Sequence, residues 1–416
     1  MNRPLPTYWP AQLLLGWLNL VLTAPSIYLY LGLPLVMRQH GWSGTAIGLF
    51  QLAGIPAVLK FALAMPVDRW PLGRAGYRNW ATVLLLGYAM PILALAAQDI
   101  HGLNHWGLFA LALAASLMGT WADIPVNALA IQYLPESERI RSGAVRAAAT
   151  SLGAIVGGGV MLVVQARAGW EWPFRILAGG LLSGICLLLV HPFAAARRAP
   201  DNLVAVSTRI GIKQWITYFS ATEHRAWIPL LLLYFPFIGA TWVYLKPLLL
   251  DQGMTAENVA WVAGVAGGMV GAVASLIGGY VTKRHGVRAA LPACALFNLA
   301  TVVALAAAVA GHVPHSTLIA ATMAIAVAMG AAAGLLFGLM MYHTRSGMTA
   351  LDYGIQSSLF ALTRMVLPML AGLLLDRLGY LGMLGGIAAG LLGVLMLTLQ
   401  YLRAAPLGRP STGPLG

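Results

Sequence analysis

An all-α integral membrane protein, with twelve transmembrane helices in two six-helix halves, is the fold class this sequence predicts. Three observations carry that reading. Hydrophobic residues make up 59% of the chain and charged residues only 9%, whereas soluble domains carry about 25% charged residues. Apolar runs long enough to cross a hydrocarbon core, about 17–25 residues each, recur from end to end. The second half of the chain also repeats the first at matching points.

In order, the runs fall at 10–37, 43–65, 79–98, 105–133, 141–166, 173–195, 227–250, 256–282, 287–311, 315–343, 351–375 and 380–402. Each is continuous, unlike the alternating segments of about ten residues that build a β-barrel. The first ends in Met37-Arg38-Gln39-His40 and lacks a small-residue cleavage site, so it reads as the first helix rather than as a signal peptide. Pro25, Pro34, Pro56, Pro91, Pro125, Pro236 and Pro368 fit helices that kink or open locally around a cavity. Glycines at 153 and 157–159 in the fifth run, and at 264, 267, 268, 271, 278 and 279 in the eighth, allow close helix packing.

Lys and Arg then set the orientation. One side of the bilayer collects Arg3, Arg69, Arg74, Arg78, Arg139, Arg141, Arg146, the basic residues of the central loop, Lys283, Arg284, Arg288, Arg345, Arg403 and Arg409. The other keeps Arg38, Arg167, Arg175, Lys246 and Arg377. The positive-inside rule therefore puts both termini in the cytoplasm. The formal charge of +13 follows from topology and contact with anionic lipid, and nucleic-acid binding is not expected.

The repeat supplies the domain plan. Gly41-Trp42-Ser43-Gly44-Thr45 before the second run parallels Gly253-Met254-Thr255-Ala256 before the eighth, each placing a Ser or Thr cap ahead of an apolar stretch. Asp68-Arg69-Trp70-Pro71-Leu72-Gly73-Arg74 recurs as Thr282-Lys283-Arg284-His285-Gly286-Val287-Arg288, without its acid. The expected division is an amino-terminal half 1–195, a cytoplasmic central loop 196–226 and a carboxy-terminal half 227–416. Two six-helix repeats in the same orientation are the major-facilitator plan, in which a solute binds between the halves near the midplane.

Three charges lie deep within the apolar runs. An ionised side chain at the bilayer centre costs at least about 2.5–3.5 kcal/mol, so it marks a pathway, a partner or a bound solute. Lys60 lies eight residues before Asp68, roughly 12 Å inside the cytoplasmic edge, where it faces a cavity or snorkels outward along its own stem. Asp123 precedes Pro135 by twelve residues, roughly 18 Å in. That depth is too great for a short carboxylate to snorkel, which makes Asp123 the expected proton carrier or a partner of Lys60 or Arg364. Arg364 is similarly deep and needs an anion, either a substrate carboxylate or a helix partner. Two cations against one acid favour an anionic solute. Trp121, Tyr28, Tyr30, Trp242 and Tyr234 at the same level offer aromatic faces to it, although Trp and Tyr also form interfacial belts. Asp68, Arg69 and Arg74 form an acid and base turn that resembles the loop-2 signature of major facilitators, a resemblance that implies a latch on the cytoplasmic gate.

No enzyme, metal site or cofactor is expected. Cys186 and Cys294 lie singly within runs, the nine His are scattered, and no nucleotide-binding glycine-lysine motif exists.

Several segments narrow the family. Leu59-Lys60-Phe61, Pro66 and Asp68-Arg69 resemble a segment of the AmpG-type muropeptide permeases and their acetyl-CoA transporter relatives. Ala122-Asp123-Ile124, the stretch Leu134-Pro135-Glu136-Ser137-Glu138-Arg139, and Arg364 with Pro368 and Gly372 are similar to further segments of that family. The muropeptide permeases carry a second acid four residues after the first, where this chain has Asn127. The compact chain looks more like the single-polypeptide siderophore permeases of the RhtX/FptX type. That resemblance implies a monomeric inner-membrane importer of a siderophore, a ferric pyochelin-like small aromatic acid, driven by protons through alternating access. It also implies that Lys60, Arg364, Asn127 and the aromatic residues line the binding site.

Overall fold

The computed structural model describes residues 8–39, 50–98, 105–191, 212–220, 222–311, 313–345 and 347–404. Among the described residues the regular structure is entirely helical. Ten helices among the described residues are long and apolar enough to cross a membrane. They begin with α1 (Trp9–Gly32), while α2 is a further, shorter helix at 51–69. The series continues as α3 (Tyr77–Ala96), α4 (His105–Tyr133), α5 (Glu136–Ala168), α6 (Glu171–Val190), α7 (Trp227–Asp251), α8 (Glu257–His285), α9 (Val287–Ala310) and α10 (His315–Tyr342). The last long run, Thr349–Ala404, contains one non-helical residue, Gly379, at φ 67° and ψ −174°. Glycine tolerates that left-handed φ at no steric cost, and the corner separates α11 (349–378) from α12 (380–404). With α2 and this corner, all twelve expected spans are accounted for. The start of the expected second span and most of the central loop lie outside the described residues.

The ends of the helices follow local chemistry. α5 opens after Pro135 with Glu136 and Glu138 in its first turn, and α8 closes on Lys283, Arg284 and His285, so both complement the helix dipole. α2 begins as a 3-10 stretch, Gln51–Leu59 with Pro56 inside it, and becomes α-helical only from Lys60. Single π-turns interrupt α1, α5 and α8 at Tyr28–Gly32, Val156–Val160 and Ala260–Ala266. The last two fall in the glycine-rich stretches.

The halves meet along a seam in which α5 packs on α8 and α10, and α2 packs on α11. Contact there is close enough to need glycine. A Cβ at Gly143 of α5 would run into the backbone nitrogen of Gly338 on α10. Ser275 Oγ of α8 donates to the Ala144 carbonyl of α5 at 3.1 Å. The N–H of Phe61, at the junction of the 3-10 and α-helical parts of α2, donates across the seam to Ser358 Oγ of α11 at 2.9 Å. Lys283 of α8 reaches Glu138 of α5 at 2.5 Å, where Arg141 also bonds at 2.7 Å. These crossings all lie toward the basic ends of the helices, so the seam is shut on that side.

A short amphipathic helix, Ile212–Ser220, bridges the same end. Its Trp215 ring lies 5.0 Å from Phe61 of α2, while its Gln214 carbonyl accepts from Arg345 at 3.3 Å.

A larger residue at position 143 cannot be absorbed by moving a flexible side chain, because its neighbour is backbone. Overpacking costs about 1–3 kcal/mol, so Gly143→Val should open the seam at the basic side. In a chain with Cys186 and Cys294 replaced by Ser and Ser275→Cys as reporter, it should raise maleimide labelling at least about fivefold. Unchanged labelling would mean that the seam is held elsewhere.

Candidate functional site

The change from 3-10 to α-helix in α2 places Lys60 at the start of its α-helical part, aimed at α4. Its Nζ lies 2.7 Å from Asp123 Oδ2. One turn further along α4, Asn127 Nδ2 donates to Asp123 Oδ1 at 2.9 Å and to the Asp123 carbonyl at 2.7 Å. Arg146 of α5 brings Nη2 to 3.4 Å from both carboxylate oxygens. The acid therefore holds two cations and an amide, the number of partners a desolvated carboxylate needs. Three helices of one half are fixed on a single group.

The other half closes over it. The Arg146 guanidinium lies 4.6 Å from the ring of Phe337 on α10 and 5.1 Å from the ring of Tyr353 on α11, an arrangement that favours a desolvated cation. Phe337 packs against Phe360 at 5.6 Å, and the guanidinium of Arg364 lies 5.8 Å from the Phe360 ring. Two rings thus connect the buried guanidinium to the one at position 364. Arg364 is exposed, and among the described residues it pairs with no carboxylate. Two cations share the one carboxylate, and a third cation stands two rings away.

The remaining candidates divide. Tyr30 is half-buried and donates to the Ala53 carbonyl at 2.9 Å, tying α1 to α2. Trp121 turns away from Asp123 toward Trp80 of α3, with ring centroids 5.8 Å apart. Trp242 is half-buried and packs at Gly267 of α8. Tyr28 and Tyr234 are fully buried, and the structure does not bring them to the Asp123 cluster. Tyr28 packs on Phe174 of α6 at 5.4 Å, and Tyr234 donates to the Leu291 carbonyl of α9 at 3.0 Å.

The acid and base turn engages the seam through its acid. Asp68 accepts from the N–H groups of Ala350 at 3.2 Å and Leu351 at 2.7 Å, free donors at the start of α11, and from Tyr77 Oη at 2.5 Å. It lies past the apolar part of its helix, and burial pushes its carboxyl up to about 6 even though all three donors pull the other way. Arg69 is exposed over the ring of Trp70 at 5.5 Å, and the Arg74 side chain lies outside the described residues.

Sequence reasoning passed over Arg146, which it grouped with the basic loop, and the Glu138–Lys283 pair. The signal for Arg146 was its place ten residues into a helix that starts at Glu136. Asp352 is an alternative acid at the basic end, but it is fully buried and already bound by Arg345 at 2.6 Å.

The charges should prove strongly coupled. Asp123→Asn leaves Lys60 and Arg146 facing one another without their acid, and the stability lost in detergent melts should be about 3 kcal/mol. Adding Lys60→Met should recover part of the loss, giving a coupling energy of about 1–3 kcal/mol in the double-mutant cycle. Additive effects would show that the two do not interact.

The Asp68 carboxyl should make the seam sensitive to pH. Its value near 6 in the shut form exceeds the ordinary 3.8, so the shut form binds the proton more tightly. Closure therefore strengthens as pH falls through about 6 and levels off below the ordinary value. Spin-label distances between the basic ends of α5 and α8 should shorten on going from about pH 7.5 to about pH 5.5, and Asp68→Asn should flatten the response.

Solved structures share this architecture. A bacterial homologue of the iron transporter ferroportin, in its outward-facing state, matches at a TM-score of 0.71 and 14% identity, covering 94% of this chain and 98% of that one. The transporter FucP in its outward conformation matches at 0.69 and 17%, covering 94% and 97%. The proton:xylose symporter XylE matches at 0.71 and 10%, covering 95% of each chain. At these identities the likeness shows the fold alone. The family model for the Major Facilitator Superfamily matches residues 15–346, and the chain belongs to that superfamily.

Proposed function

We propose that this membrane transporter is a proton-driven importer of a siderophore, a ferric pyochelin-like small aromatic acid, and that it belongs to the RhtX/FptX-type branch of the superfamily. It works as a monomer in the bacterial inner membrane, with both termini and the shut, basic end of the seam in the cytoplasm. The observation that carries this reading is the excess of positive charge, where Lys60 and Arg146 share the single carboxylate of Asp123 and Arg364, linked to Arg146 through the Phe360 and Phe337 rings, pairs with no acid among the described residues. A guanidinium without an acid recruits an anion. In this conformation the opposite side receives the solute, and the Phe360 ring beside Arg364 and the Phe337 ring beside Arg146 suit an aromatic one.

Asn127 separates this reading from muropeptide import. It gives Asp123 a neutral donor where the muropeptide permeases keep a second acid, leaving one protonatable group at the site. Asp123 is then the group that couples the proton. Protonation weakens its hold on both cations and so loosens α2, α4 and α5 together.

Proteoliposomes with an imposed pH gradient test the reading. The wild type should accumulate ferric pyochelin, and Asp123→Asn should bind it without accumulating it. Arg364→Ala should raise the apparent KM roughly tenfold or more, with Arg364→Lys between, since Lys keeps the charge and loses the fork. Accumulation of an anhydro-muropeptide in place of the siderophore would overturn the assignment.

A further inference from the structure

Burial leaves a specific demand unmet beside Asp123. Arg146 Nη1, Tyr353 Oη and Ser357 Oγ have no hydrogen-bond partner among the described residues. Yet Arg146 is only 9% exposed, Ser357 4% and Tyr353 0%. Each buried polar group left unpaired costs about 1–3 kcal/mol, and a charged one more. The three are also grouped. Tyr353 and Ser357 lie one turn apart on α11, which puts them on one face, and the Tyr353 ring lies 5.1 Å from the Arg146 guanidinium. A guanidinium from one half and two hydroxyls from the other are together a donor set for an oxyanion.

Arg146 is also the less committed of the two cations on Asp123. Its contacts to the carboxylate are 3.4 Å, against 2.7 Å for Lys60. If Arg146 turns away, Asp123 keeps Lys60 and Asn127.

We propose that Arg146, Tyr353 and Ser357 form the seat for the carboxylate of the transported acid, taken in exchange for the Arg146 contact to Asp123. This rests on reading the protein as an importer of an organic acid. Arg364 meets the acid first, and the Phe360 and Phe337 rings lead from it to the deeper guanidinium. The ligand carboxylate and Asp123 then compete for one fork, so the arriving acid releases the coupling carboxylate from one of its two cations. Because the donors come from both halves, the filled seat also joins them.

Calorimetric titration of the purified full-length chain with salicylate, with its neutral amide salicylamide and with ferric pyochelin tests the seat. Salicylate should bind more tightly than salicylamide. Tyr353→Phe and Ser357→Ala should each weaken salicylate roughly tenfold, the loss of one bond to a charged group, and leave salicylamide unchanged. Asp123→Asn removes the competitor and should tighten salicylate. The seat is overturned if acid and amide bind alike, if neither hydroxyl variant changes salicylate binding, or if Asp123→Asn weakens it. Should one hydroxyl variant fail to fold, the other and the Asp123→Asn comparison still decide. If salicylate shows the full pattern while ferric pyochelin does not bind, the seat stands and the siderophore assignment falls. If ferric pyochelin binds but is indifferent to all three substitutions, the importer stands and the seat falls.

Discussion

A single carboxylate buried among helices organises this protein. Removing an ion of that size from water costs several kcal/mol even after the surroundings relax, and attraction repays it only when the geometry is good and the remaining lone pairs are filled. Asp123 meets both conditions by drawing Lys60 from α2, Asn127 from its own helix and Arg146 from α5. The second guanidinium then needs cover of its own, which Phe337 and Tyr353 supply from the opposite half. Satisfying one acid therefore fixes three helices of one half and draws two helices of the other against them.

The seam follows a related rule. Backbone donors are met from the other half, Phe61 within α2 by Ser358 and the free donors at the start of α11 by Asp68. Glycine at position 143 brings the backbones together, and the Glu138–Lys283 pair adds a charge contact whose acid is buried and whose lysine is partly exposed. These are short polar contacts, which water replaces at little net cost once the seam parts. Such a closure is firm while dry and readily reversed when wet, as alternating access requires.

Much of this was legible in the sequence because depth in an apolar run is legible. Lys60 and Asp123 stood out by their distance from any charged flank, and Asn127 only through the resemblance, as the position where the muropeptide permeases carry a second acid. The twelve spans and the corner at Gly379 follow from apolar length and from the tolerance of glycine for a left-handed φ. Arg146 was hidden because α5 opens with four charges in its first six residues, so the sequence alone gives no boundary between solvated loop and buried helix. Its burial also depends on rings nearly two hundred residues away. The aromatic residues show the opposite limit. Tyr28, Tyr234 and Trp242 share a depth, but which of them faces the seam depends on how each half packs internally, and Tyr28 and Tyr234 are enclosed by α6 and α9.

The winding of α2 has a mechanical consequence. Gln51–Leu59 is nine residues of 3-10 helix, which rise about 2.0 Å each, against about 1.5 Å each in an α-helix. If that stretch relaxed to the wider winding, its length would shrink by roughly 4–5 Å and each side chain would shift around the axis. Lys60 sits at the junction, and the Phe61 N–H bonded across the seam is among the first groups freed by such a change. Such a rewinding would displace the cation that holds Asp123 along the axis by nearly one helical turn.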